Sequence, residues 1–186
     1  MEGYIITGVI IFIAALLGFY SIHAYNKLVK GLNRVNTQWA QIDVQLTRRT
    51  DLIPNLVETV KGYASHEKEI FEKVAAARNA VESAPSPMEA ITANDQLSGQ
   101  LLRLIAVAES YPDLKANISY INLQTSLNET EDKIAYARQF YNDTVLIYKD
   151  MIHQFPSCVI AKVFHFQDEL YFMPAEDKKG DMKINF

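Results

Sequence analysis

Two short stretches carry side chains suited to gripping another molecule: Arg48-Arg49-Thr50-Asp51, and Tyr111 to Asn117, "YPDLKAN". Adjacent guanidiniums present forked donors to carboxylates, and neighbouring Asp and Asn side chains can accept and donate in return. Arg48, Arg49, Asp51, Asp113, Lys115 and Asn117 are therefore the candidate residues for docking an acidic partner peptide or subunit. The same arginines would suit a helix C-terminus, where cations satisfy the last carbonyls and the negative dipole end. The two roles are compatible.

Other chemistry finds less support. His23, His66, His153 and His165 are scattered, and His66-Glu67 is not followed by a second histidine on the same helical face. "NETED" (Asn128–Asp132) lacks the glycine turn of a calcium loop and falls mid-helix, so it reads as a solvated face. Glu69 and Lys73 read as an exposed i, i+4 pair. The single cysteine, Cys158, has His153 and His165 nearby in sequence but no orienting carboxylate, and reads as a small buried apolar residue. No glycine-rich phosphate loop occurs. The chain is expected to be no enzyme and to carry no cofactor or metal.

Charge narrows the partners. With a net charge of −4 and no basic stripe, nucleic acid is not expected. Glycine is scarce, at 7 residues, and Ala, Leu, Glu, Lys and Gln dominate long segments, so the chain reads as all-α.

The elements follow from hydropathy. Tyr4–Ile22, "YIITGVIIFIAALLGFYSI", is uncharged and long enough to cross a bilayer of about 30 Å as a helix. Only Glu2 precedes it as a charge and no A-x-A site follows, which favours a retained anchor over a cleaved signal. Lys27, Lys30 and Arg34 follow the run, so the positive-inside rule places the N-terminus outside and the remainder in the cytoplasm. A helical stripe continues through Leu28, Leu32, Val35, Trp39, Ile42 and Leu46, and a second through Ile53, Val57, Val60, Ala64, Phe71, Val74, Ala77 and Val81. "SAPSP" (Ser83–Pro87) is a loop, Leu97–Ala108 a third stripe, and Leu123–Phe155 a fourth, which Pro156 ends.

Pro54 poses the main question of organisation. Inside a helix it would cost about 3 kcal/mol. A turn at Arg49–Asp51, with Asp51 as N-cap, gives four segments of comparable length. The expected architecture is an N-terminal transmembrane helix (1–25), then an antiparallel up-and-down four-helix bundle (26–156). A short C-terminal tail (157–186) is expected to pack on the bundle or the membrane surface. The arginine turn and "YPDLKAN" would then meet at one tip.

"YNKLV" (Tyr25–Val29), "WAQIDVQLTRR" (Trp39–Arg49), "DLIPNLVETVKGYASHE" (Asp51–Glu67), "AVAESYPDLKAN" (Ala106–Asn117), "YNDTV" (Tyr141–Val145) and the terminal "INF" resemble the LemA family of bacterial membrane proteins. The likeness spans nearly the whole chain. Gly31-Leu32 departs from a usual Leu-Arg pair, and Met182 from a common proline. The resemblance implies a single-pass membrane protein with a cytoplasmic helical bundle of bromodomain-like four-helix arrangement, and it supplies no catalytic residues.

The expected function is a non-enzymatic scaffold or adaptor at the cytoplasmic membrane. It would hold the bilayer through residues 4–22 and recruit protein partners through the bundle. A small-ligand or envelope-signal sensor is the first alternative. The second is a self-assembling membrane array, a homo-oligomer packed through Gly8, Ala14, Ala15 and Gly18.

Overall fold

The uncharged run opens a helix that does not stop where the run stops. In the computed structural model, which describes residues 1–172, α1 spans Glu2–Lys61 without interruption. It is followed by α2 (Lys68–Glu82), α3 (Pro87–Ala108), the single turn α4 (Pro112–Lys115), α5 (Ile118–His153) and α6 (Ser157–Val163). Among the described residues every regular element is helical, as expected. Met182, Phe186 and the terminal "INF" lie outside the described residues.

One helix, α1, is long and apolar enough to cross a membrane, and no residue of its apolar window is buried by the rest of the chain. The run's serine and threonine hydroxyls are already satisfied: Thr7 donates to Gly3 O at 2.9 Å and Ser21 to Leu17 O at 2.7 Å. The polar groups that remain, the phenols of Tyr4 and Tyr20, lie near the two ends of the run, where such rings favour the membrane interface.

The expected turn at Arg49–Asp51 does not form. Asp51 is an ordinary exposed helical residue, and α1 passes through Pro54 for two further turns. The reason lies 28 residues beyond Thr50. Pro54 has no N–H to give the carbonyl of Thr50, and Thr50 is only 1% exposed, so that carbonyl has no water to turn to. Arg78 Nε, from α2, donates to Thr50 O at 3.0 Å and replaces the missing helical bond. The chain reverses instead at 62–67, where Gly62 N donates to Glu58 O and Tyr63 N to Val60 O.

The chain divides into two compact units. One comprises Trp39–Phe140 with 171–172. Here the C-terminal part of α1, α2, α3 and the N-terminal part of α5 form the bundle, and α2 packs on α3. Short connections make sequential helices antiparallel. The core holds Ile42, Leu46, Ile53, Leu56, Val60, Phe71, Val74, Leu97, Leu104, Leu127 and Ile134, the inward stripe of each helix. Ser86 caps α3: Glu89 N donates to Ser86 Oγ at 3.3 Å, and Ser86 Oγ donates to Glu89 Oε1 at 3.0 Å.

The other unit comprises Met1–Gln38 and Tyr141–Leu170. Ala24, Leu28 and Val35 of α1 are buried here, as are Val145, Tyr148 and Ile152 of α5. Gly31, which departs from the family's usual pair, seats a ring: a Cβ there would meet Tyr148 Cδ2 at 3.1 Å and Met151 Sδ at 3.3 Å. Phe155, expected on the buried stripe of the fourth helix, is 82% exposed beyond the end of α5.

Candidate functional site

The six expected docking residues fall into three settings. Arg48 and Asp51 are exposed on the flank of α1. Arg49 is buried at 5% exposure. Its Nη1 donates to Asn94 Oδ1 of α3 at 2.7 Å, and its Nη2 pairs with Glu131 Oε2 of α5 at 2.9 Å. Burial lowers the Arg49 pKa, and the nearby carboxylates of Glu131 and Asp95 oppose that shift. The guanidinium thus ties three helices of the bundle together. It is a core residue and not part of an open surface.

Asp113, Lys115 and Asn117 do lie together, on and just after α4. Their neighbour is the 62–67 turn and not the arginine pair: Asn117 Nδ2 donates to Tyr63 Oη at 3.0 Å. Arg49 lies twelve residues before the end of α1, about 18 Å along its axis at 1.5 Å per residue. The expected meeting of "RRTD" with "YPDLKAN" is therefore corrected. Helix continuation through Pro54 moves the arginines down the flank and brings Gly62–Glu67 to the tip.

The surface at that tip has its own order. Asn117 Oδ1 accepts from Tyr120 N and so caps α5. Lys115 pairs with Glu109 across the loop. Leu114 is buried beneath, and Tyr120 is 3% exposed. Burial, with Glu109 adding to it and Lys115 opposing, pushes the Tyr120 phenol up. Tyr63 at 41% and Ile118 at 75% exposure stand beside these charges. Next to them, Val57, Lys61, Ser65, Lys68 and Phe71 line a shallow cleft between α1 and α2, with Lys61 Nζ 5.5 Å from the Phe71 ring centre. An aromatic, an aliphatic and several lysines around one rim can grip a protein surface. Tyr63, Lys61 and Ile118 carry no signal in the sequence, because the apolar spacing runs on through Gly62 and hides the turn that sets Tyr63 beside Asn117.

Two further pairs were unforeseen. Glu131, read as part of a solvated face, is half-exposed yet reaches Arg49. In the other unit, His153 Nε2 lies 2.9 Å from Asp168 Oδ1, both exposed, so that histidine has the carboxylate neighbour that sequence did not supply. Cys158 is half-buried on α6. Among the described residues, no three His, Cys, Asp or Glu side chains converge to hold a metal.

Comparison with known proteins places this arrangement. The profile of the LemA family matches residues 38–186. The chain is similar to magnetosome protein MamQ 2 of Paramagnetospirillum magneticum, 28% identical over 205 residues, covering 96% of this chain and 73% of that protein. It is also similar to protein LemA of Metamycoplasma hominis, 23% identical over 180 residues, covering 94% and 81%. Magnetosome protein MamQ of Magnetospirillum gryphiswaldense is 26% identical over 186 residues, covering 86% and 68%.

Proposed function

The chain belongs to the LemA family, and from that premise we propose that it is a non-enzymatic, membrane-anchored scaffold that recruits protein partners through its helical bundle. One observation supports this reading most directly. A single helix, α1, carries both an exposed run able to cross a membrane and, in its later turns, the buried stripe of the bundle. The exposed Lys27, Lys30 and Arg34 just beyond the run favour a cytoplasmic bundle. The relatives named as magnetosome proteins fit a part in a larger assembly. Partners are taken up at the tip formed by the 62–67 turn and the loop from Glu109 to Ile118, through Tyr63, Lys115 and Ile118.

The test is recovery of partners from native membranes in mild detergent, with Tyr63→Ala, Lys115→Glu and Ile118→Ser against the flank variants Arg48→Ala and Asp51→Ala. Tip variants with unchanged helical circular dichroism are expected to lose co-purifying proteins, and flank variants to keep them. An identical partner set from tip variants and unaltered protein would refute the tip.

A further inference from the structure

We infer that α6 and the turn after it make a second, peripheral contact with the lipid surface beside the anchor. In that contact Phe155, Val159, Val163 and Phe164 sit among the headgroups, and Lys162 supplies a cation for anionic phosphates. The inference rests on reading Tyr4–Ile22 as a membrane span.

The side chains come first. α6 buries only Ala161. Val159 and Val163, one helical turn apart on one face, are 50% and 63% exposed. Phe155 at 82% and Phe164 at 53% exposure flank α6 on either side in sequence. So many exposed large apolar groups within ten residues call for a cover other than water. With seven residues, α6 is far too short to cross a bilayer, so the contact is one that lies on the surface.

Height above the bilayer decides what the cover is. The Tyr25 ring centre lies 4.8 Å from that of Phe164 and 5.7 Å from that of Phe166. Tyr25 follows Ile22, the end of the uncharged run, by three residues, about 4.5 Å along α1. The headgroup layer is about 5–7 Å thick on each side of the hydrocarbon. Phe164 is therefore held at headgroup height, where amphipathic and aromatic rings are favoured. A water-soluble partner would have to displace lipid to reach it.

The backbone fixes this placement. Phe166 N donates to Ala161 O at 2.9 Å and His165 N to Lys162 O at 3.3 Å, closing α6 with His165 in the left-handed region at φ 57°. That reversal sets Phe164 and Phe166 against the same tyrosine. Lys27, Lys30 and Lys162 are exposed in this unit and available to anionic phosphates, while Asp168, the first carboxylate after the α6 turn, is held by His153.

Nitroxide depth measurement on the full chain tests the inference. Cys158→Ala removes the single native cysteine. Single cysteines then replace Val159 or Val163, with Ile13 as a reference in the run and the exposed Tyr136 of α5 as a reference in water. The protein is reconstituted in phosphatidylcholine vesicles containing one quarter phosphatidylglycerol. Labels at Val159 and Val163 are expected to show a several-fold higher ratio of oxygen to nickel-chelate accessibility than the label at Tyr136, below that at Ile13. A ratio at Val163 equal to that at Tyr136, with Ile13 still oxygen-rich, would overturn the inference and leave the span intact. Nickel access at Ile13 as well would overturn both. Spin–spin broadening at Val163 that grows with protein density, without oxygen enrichment, would assign the strip to a second copy and overturn the lipid contact.

Discussion

Arg78 should matter to stability only as long as residue 54 is proline. In the native chain, Arg78→Met removes the donor that Arg78 Nε gives Thr50 O at 3.0 Å. It also breaks the Arg78–Glu82 pair at 2.6 Å, whose side chains are 28% and 38% exposed. The pair is an i, i+4 surface contact worth about 0.3–0.5 kcal/mol. The bond to the buried carbonyl is worth more, because a charged donor contributes about 1.5–3 kcal/mol. Arg78→Met is thus expected to cost about 2–3 kcal/mol. Pro54→Ala restores an N–H at 54 that can reach Thr50 O along the helix. In that background Arg78→Met should cost only about 0.5–1 kcal/mol, leaving a coupling of about 1–2 kcal/mol. Glu82→Ala, as control, should cost about 0.5 kcal/mol or less in both backgrounds. The measurement is chemical unfolding of the six proteins in detergent micelles, followed by helical circular dichroism. An equal cost of Arg78→Met with and without Pro54 would refute the view that Arg78 carries α1 past its proline.

Arg49→Met should cost about 1–3 kcal/mol in the same unfolding assay, since Asn94 Oδ1 is left buried without its donor. Arg49→Ala should cost about 2 kcal/mol more than Arg49→Met, for the three apolar heavy atoms (Cγ, Sδ and Cε) that methionine keeps and alanine lacks, at about 0.8 kcal/mol each, whereas Glu131→Gln should cost about 1 kcal/mol or less because Glu131 is half-exposed. Stability untouched by Arg49→Ala would place the residue on the surface after all. Burial, with Glu169 adding to it, pushes the Tyr141 phenol up to about 12, and its hydroxyl donates to Leu170 O at 3.0 Å. A folded-state pKa above the unfolded value of about 10 means a contribution fully present below pH ~10 and lost as pH rises towards ~12. Thermal unfolding from pH 7 upward should therefore stay flat and then fall in that window, and Tyr141→Phe should make the fall shallower; an unchanged fall in the variant would refute it.

The stripes were legible because burial follows helical spacing. Leu28, Val35, Ile42, Leu46, Ile53, Val60, Phe71, Val74, Leu97 and Leu104 were all expected inside and are. The turn was not legible, for two reasons of different range. Locally, Ala64 N still donates to Val60 O at 2.9 Å, so the apolar spacing runs on through Gly62 as though the helix had not ended. At long range, the penalty at Pro54 is relieved by a side chain from another helix, which no local reading of Arg48–Val60 contains. Arg49 shows the same limit. Its type is that of a surface residue, and only the arrival of Asn94 and Glu131 from α3 and α5 makes it an interior one. Of the six candidate docking residues, the three on the α4 loop keep their place at a tip, with Tyr63 as their neighbour in place of the arginines.

Gly31 also bears on motion. The Tyr148 ring rests where a side chain would otherwise stand, at 3.1 Å from the position a Cβ would take. Sliding α1 past α5 by one helical pitch, about 5.4 Å, would bring Lys27, Leu28, Arg34 or Val35 to that spot, each with a side chain the ring could not pass. Within this unit the two helices are indexed like a key in a ward. A pull on the anchor is therefore handed to α5 as shared displacement and not dissipated as slip between the pair.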